Sequence, residues 1–167
     1  MTDKHALVAM IIAQAEEQLA ALIIRQKDTA EGATHEENRS EHAKDTRATE
    51  QSYLARGLAT RVEDLQRTVD ALHHLDVRTF SDDDEIAVSA FVTISQQERS
   101  GDSDPEEHWL VVPGAGGFEL TDESGRLVRT VTPVSPLGRA LLGLSAGDEG
   151  QVRKPGGVRA FEVLKVC

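Results

Sequence analysis

Cysteine is all but missing from this chain: its one occurrence, Cys167, is the last residue. That excludes an intramolecular disulfide and a cysteine metal cluster, and it fits a reducing, cytoplasmic setting. Positive charge is scarce as well. Against 29 Asp+Glu stand 18 Lys+Arg, a formal net charge of -11. The chain as a whole therefore repels a phosphate backbone, and independent, sequence-specific DNA binding is not expected. An acidic chain can still serve a nucleic-acid machine if a basic partner protein offers the docking surface, or if its carboxylates handle a metal ion. Long apolar runs are also lacking. The stretch from Ala6 to Ala13 is preceded by Asp3, followed by Glu16 and Glu17, and continues helically rather than into a cleavage site. No other segment reads as long enough to span a bilayer, so no membrane partner is expected. The 167 residues leave room for one ordinary domain, or for an extended element plus a small domain.

Proline is absent from Asp3 to Asn38, and glycine occurs there only at Gly32. Along that stretch Val8, Ile12, Ala15, Leu19, Leu22, Gln26, Thr29 and Ala33 alternate in steps of three and four, the seam of one long helix. A second row runs through Ala48, Gln51, Ala55, Leu58, Val62, Leu65, Val69 and Leu72, and its helix is expected to end near His74 to Asp76. A short polar segment, Ser40 to Thr46, separates the two. The simplest pairing is an antiparallel coiled-coil hairpin over residues 1–76 with its tip near 38–46. Helices of about 33 residues would be roughly 50 Å long, so the hairpin is expected to project into solvent or into a partner. The seam carries branched apolar residues at the open end and Gln26, Thr29, Ala33, Ala48 and Gln51 towards the tip. Such a slim, polar tip associates weakly with itself. A structural adaptor whose hairpin self-associates is a competing reading, and a measurement of size in solution would expose it.

Residues 77–167 read as a second, β-rich domain. The acid run Asp82, Asp83, Asp84, Glu85 is a solvated loop ahead of a strand expected over Ile86 to Ile94, and an acidic Gly/Ser/Pro loop then leads to Glu107. Further strands are expected at His108 to Val112, Phe118 to Thr121 and Arg126 to Val131. Between them, the Gly114 to Gly117 cluster is followed by no Lys-Ser/Thr and by a strand-like segment, so it reads as a turn rather than a phosphate loop. A helix is expected over Pro136 to Leu144, with Ser135 as N-cap, Pro136 in the first helical position, and a stop at Gly143 to Gly147. Two last strands, Gly150 to Lys154 and Arg159 to Val166, flank Pro155-Gly156-Gly157 as a hairpin turn. The fold class is α+β.

The segment Val134-Ser135-Pro136-Leu137-Gly138-Arg139-Ala140-Leu141-Leu142-Gly143, followed by Ala146-Gly147-Asp148, Lys154-Pro155-Gly156-Gly157 and Phe161-Glu162-Val163-Leu164, resembles the Gre family of transcript cleavage and elongation factors. Arg61-Val62-Glu63-Asp64-Leu65 is similar to the family's second coiled-coil helix. The match is close over the last ~35 residues and poor over 80–130, where the Pro113 to Gly117 loop looks like a divergent branch. The resemblance implies an FKBP-like domain that docks at the rim of the RNA polymerase secondary channel. It also implies a coiled coil whose tip reaches the active centre. Ser135 and Pro136 align with family residues that touch the polymerase, and Val134 stands where a polar residue is usual. Ser-Pro is equally a good helix start, and both roles can hold together.

In cleavage-stimulating relatives two tip acids help to place a second Mg²⁺ and a water, so that the polymerase cuts its own backtracked RNA. Such an ion needs converging oxygen ligands and otherwise keeps waters and phosphate oxygens. Here Glu41 falls at the first tip position, whereas the second falls on Lys44, with Asp45 one residue further on. If the stretch is helical, Glu41 and Asp45 share a face with Cβ atoms about 5–6 Å apart. Lys44 places a cation beside them, which weakens Mg²⁺ binding and favours an alternative, a non-cleaving secondary-channel regulator. Glu36 and Glu37 are reserve candidates. A zinc or nickel site from His35 and His42 fits no standard spacing. A peptidyl-prolyl isomerase, suggested only by the fold, would need an aromatic-lined pocket, and a small core can consume Phe80, Phe91, Trp109, Phe118 and Phe161.

Overall fold

A computed structural model describes residues 2–36, 44–96 and 106–167. The chain divides into two compact units: Ala13–Asp70, and Met1–Ile12 together with Ala71–Cys167. Helix α1, Lys4–Glu36, runs through both, so its first residues belong with the sheet and the remainder with α2, Lys44–His73.

In the helical unit the expected seam is the buried face. Ala15, Leu19, Leu58 and Val69 are buried, Leu22, Gln26, Thr29, Ala55, Val62 and Leu65 are half-buried, and Glu16, Glu17 and Gln18 between them are exposed. A row spaced by threes and fours stays on one side of a helix turning every 3.6 residues. Two such rows facing each other make the helical hairpin that the sequence suggested.

The second unit is built on six strands: β1 Phe91–Gln96, β2 Glu106–Val111, β3 Glu119–Thr121, β4 Leu127–Val131, β5 Glu149–Lys154 and β6 Gly157–Val166, with α3, Pro136–Leu141, between β4 and β5. They form one sheet in the order β3-β4-β2-β1-β6-β5. The β2–β4 pair is parallel and every other pair antiparallel. This is the α+β sheet domain with one short helix that was expected. Alternation sorts the side chains by face. Val92, Ile94, Val111, Val131, Val152, Phe161 and Val163 form one core with Phe80, Ile86 and Leu141. Phe91, Leu110, Leu120 and Val128 are buried as well, and the register places them on the opposite face. The β5–β6 hairpin closes through Pro155-Gly156, with Lys154 opposite Gly157 and Gly156 at φ 102°. Proline ahead of a left-handed glycine is the combination such a tight turn requires.

Three expectations need correction. The strand expected from Ile86 begins only at Phe91, because Ser89 adopts φ 75° and its N–H donates to Val111 O at 2.8 Å. A residue turned into the left-handed region cannot continue a pleat. Helix α3 ends at Leu141 rather than Leu144, since Leu142 has φ -57° and ψ 131° and Gly143 N–H bonds to Ile86 O at 3.0 Å. Finally, Lys4–Thr29 is long and apolar enough to cross a membrane by length and composition. Leu7, Val8 and Ile11 at its start are buried within the protein.

Candidate functional site

Two sets of residues carry the functional expectation, and the structure treats them differently. Of the tip residues, Glu37, Glu41 and His42 lie outside the described residues. Lys44 and Asp45 are the first two residues of α2, and His35 and Glu36 the last two of α1. Their side chains lie outside the described set. Among the described residues no three His, Cys, Asp or Glu side chains converge as a metal site would require.

The docking segment is fully described. Val134 is 72% exposed, Pro136 is exposed, and Ser135 between them is half-buried. Ser135 sits at φ -71°, ψ 156°, an extended N-cap, and its Oγ accepts from Gly138 N–H at 3.0 Å. The same hydroxyl donates to Thr132 O at 2.8 Å, and Ser135 N–H donates to that carbonyl at 3.0 Å. One carbonyl thus holds the turn while one hydroxyl satisfies an otherwise orphaned helix donor. Gly138 makes the closure possible: a Cβ there would lie 1.9 Å from Thr132 O. The helix-start reading of Ser135-Pro136 is realised, and it leaves Val134 and Pro136 facing outwards.

The neighbouring Pro113–Gly117 loop has the form of a turn. Ala115 has φ 55° and Gly117 φ 87°. The loop is tied to Thr130, which is 1% exposed. Thr130 Oγ1 donates to Ala115 O at 2.5 Å and accepts from Phe118 N–H at 2.8 Å, and Thr130 O accepts from Gly117 N–H at 2.9 Å.

Sequence reasoning missed the chemistry of two acidic segments. Asp82 Oδ1 accepts from Val166 N–H at 3.1 Å, and Asp84 Oδ2 accepts from the N–H and the hydroxyl of Ser81, both at 2.8 Å. The solvated acid run therefore also pins backbone. Between β3 and β4, Asp122 accepts from Ser124 N–H and Oγ and from Arg126 N–H through one oxygen, and from the Arg126 guanidinium through the other. Desolvation opposes its charge, but these hydrogen bonds outweigh it and hold the carboxyl well below the usual carboxylate range. Burial, with the Arg126 charge adding to it, lowers the pKa of nearby His108, whose Nδ1 lies 3.1 Å from Thr93 Oγ1. The spacing Asp-x-Ser-x-Arg was the available signal.

Residues 81–167, the sheet unit from its acid run onwards, match the family model described as transcription elongation factor, GreA/GreB, C-terminal. The unit that carries the Ser135-Pro136 cap is therefore of the elongation-factor class. A GreA from Syntrophus aciditrophicus is 32% identical over 127 residues, covering 76% of this chain and 70% of that protein. A GreA from Nautilia profundicola is 36% identical over 66 residues, 40% of this chain and 36% of the relative, so the chain matches only about a third of it. Among solved structures, GreA factor homolog 1 (Gfh1) of Thermus thermophilus is similar at 19% identity and TM-score 0.38, with 93% of this chain and 94% of that one covered. The chain belongs to the GreA/GreB family of transcription elongation factors.

Proposed function

We propose that this protein docks on RNA polymerase at the rim of the secondary channel through its sheet unit. Its hairpin tip then reaches the active centre and stimulates cleavage of backtracked RNA. The observation that carries the reading is the hairpin itself: helices of 33 and 30 residues, each roughly 45–50 Å long by the α-helical rise. Their seam changes from Leu19 and Leu58 to Gln26 and Thr29 along its length. A self-associating coiled coil would keep its apolar seam, whereas one entering a narrow aqueous channel needs a slender polar end. The protein is then an accessory factor, monomeric and cytoplasmic, and the bond-breaking machinery is the polymerase's.

Glu41 and Asp45 would hold Mg²⁺ jointly with the polymerase, since carboxylate oxygens are the donor class that this hard ion takes. When bound, the ion lowers the pKa of a coordinated water and stabilises charge on the phosphoryl oxygens. The contribution of this chain is to bring two acids to that place while α2 anchors Asp45. Lys44 beside Asp45 supports the second reading, a regulator that occupies the channel without promoting cleavage, because its ammonium competes with the ion.

The test is RNA cleavage in stalled, backtracked complexes with Mg²⁺, comparing the wild type with a Glu41→Ala/Asp45→Ala double variant. Cleavage that the double variant loses at least about tenfold, equivalent to ~1.4 kcal/mol of barrier, supports the metal-assisting role. Binding without cleavage, in competition with another secondary-channel factor, selects the regulator. No binding refutes both.

A further inference from the structure

We propose that the Pro113–Gly117 loop is a second polymerase-contacting segment, forming one docking face with Val134-Ser135-Pro136. This rests on the docking reading above and extends it to residues that no comparison marks.

The argument begins with topology. Loops at the C-terminal ends of two neighbouring strands lie at the same end of a sheet only when the strands run parallel, and β2–β4 is the parallel pair here. β2 ends at Val111 and β4 at Val131, which pair with each other, and Val112 N–H still bonds to Val131 O at 2.9 Å. The chain therefore leaves both strands at one point, into 113–117 on one side and 132–136 on the other. The two segments touch: a Cβ on Gly116 would be 3.0 Å from Thr132 Cγ2, and Thr132 O is the carbonyl that holds the Ser135 cap.

The chemistry of the pair points to a protein surface. Pro113, Gly116, Gly117, Val134 and Pro136 are exposed and Ala115 half-buried. Neither segment contains a cation to hold a phosphate. Both are preorganised, the first by two hydrogen bonds linking Ala115 and Gly117 to buried Thr130, with a third from adjoining Phe118, and the second by the Ser135 cap. Rigid exposed apolar loops lose little entropy on binding, and small residues let a partner approach the backbone closely. The occupant is the polymerase surface that receives Val134-Ser135-Pro136, because the loop is continuous with that segment.

The test measures binding of the full chain to core RNA polymerase, with fluorescently labelled protein. The variants are Pro136→Glu, Ala115→Asp, Pro113→Glu and, as a charge control, Gln151→Glu on β5. Pro136 is exposed in the first turn of α3, where an acidic side chain suits the helix. Asp is chosen at Ala115 because it tolerates the left-handed backbone. Melting followed by Trp109 fluorescence checks that each variant is folded. The expected result is that Pro136→Glu and Ala115→Asp each weaken binding about tenfold, with unchanged melting and with the control binding as wild type. If Pro136→Glu binds normally, the docking reading falls and the extension with it. If Pro136→Glu is weakened but Ala115→Asp and Pro113→Glu bind as wild type, the extension alone is overturned. Should Ala115→Asp lower the melting point, Pro113→Glu decides in its place, since it sits at an exposed position of ordinary backbone.

Discussion

Replacing Gly138 by alanine adds one methyl group where there is no room for it. The new Cβ would stand 1.9 Å from Thr132 O and 2.8 Å from Thr132 C, so the backbones must part by more than about 1 Å before carbon and oxygen reach ordinary contact. That movement pulls Thr132 O away from both the N–H and the hydroxyl of Ser135, and the cap on Gly138 N–H goes with them. Overpacking costs about 1–3 kcal/mol and a lost N-cap about 1 kcal/mol. Alanine's better helix propensity returns up to about 1 kcal/mol. The net is a loss of about 1–4 kcal/mol, or a fall in melting temperature of roughly 4–16 °C for a domain of this size. Trp109 is the only tryptophan and packs against the sheet core, so its fluorescence reports this unit, whereas far-UV circular dichroism is dominated by α1 and α2. The fluorescence transition should move in urea or heat. A Gly138→Ala protein within about 0.5 kcal/mol of wild type would refute the close approach, and with it the account of why Val134 and Pro136 are held outwards.

Asp122→Asn keeps the shape of the β3–β4 turn but loses the charge that Arg126 and Ser124 address. At neutral pH the cost is about 1–3 kcal/mol by the worth of charged hydrogen bonds. Because the folded pKa of Asp122 is depressed, its contribution is complete above the unfolded carboxylate value. It fades as pH falls below about 4 towards the folded pKa. Urea titrations at pH 7 and pH 3 should therefore show the gap between wild type and variant narrowing on acidification, and a gap independent of pH would contradict the assignment. Lys4→Met removes an ammonium that donates to Arg78 O, to Ser89 O at 3.2 Å and to Cys167 O at 2.9 Å. It also removes the contact with the Phe80 ring, 4.8 Å from its centre. Leaving those carbonyls short of a donor costs about 1–3 kcal/mol, seen as earlier unfolding by Trp109 fluorescence, and no change would show that water replaces the amine.

What could be read in the sequence was chemistry that acts within a turn or two of the chain. The seam through Val8, Ala15, Leu19, Leu58 and Val69 depends only on helical period, and each of these side chains is buried. Ser135-Pro136 caps a helix through its own neighbour three residues on. The premature strand at Ile86 shows the limit, because Ser89 is turned by contacts with Val111 and Arg78 that no local pattern encodes. The same holds for Glu107, whose carboxylate lies 3.1 Å from Arg159 across a separation of 52 residues. At the tip, the family pattern fell on Glu41 for the first acid and on Lys44 for the second, and the one-residue shift to Asp45 is what the cleavage assay must weigh.

The bonds of Lys4 have a consequence for the order in which the chain matures. Lys4 reaches a carbonyl 163 residues away and Arg126 reaches Thr2 across 124, and β1 pairs with β6, which runs to Val166. The helical unit needs only neighbours along the chain and forms rapidly once α2 has left the ribosome. The sheet unit instead joins Lys4, β1 and β6 in one network, so it cannot close before β6 has been made. During that interval the beginning of α1, with Leu7, Val8 and Ile11, is uncovered, and a nascent-chain chaperone would meet that apolar surface first.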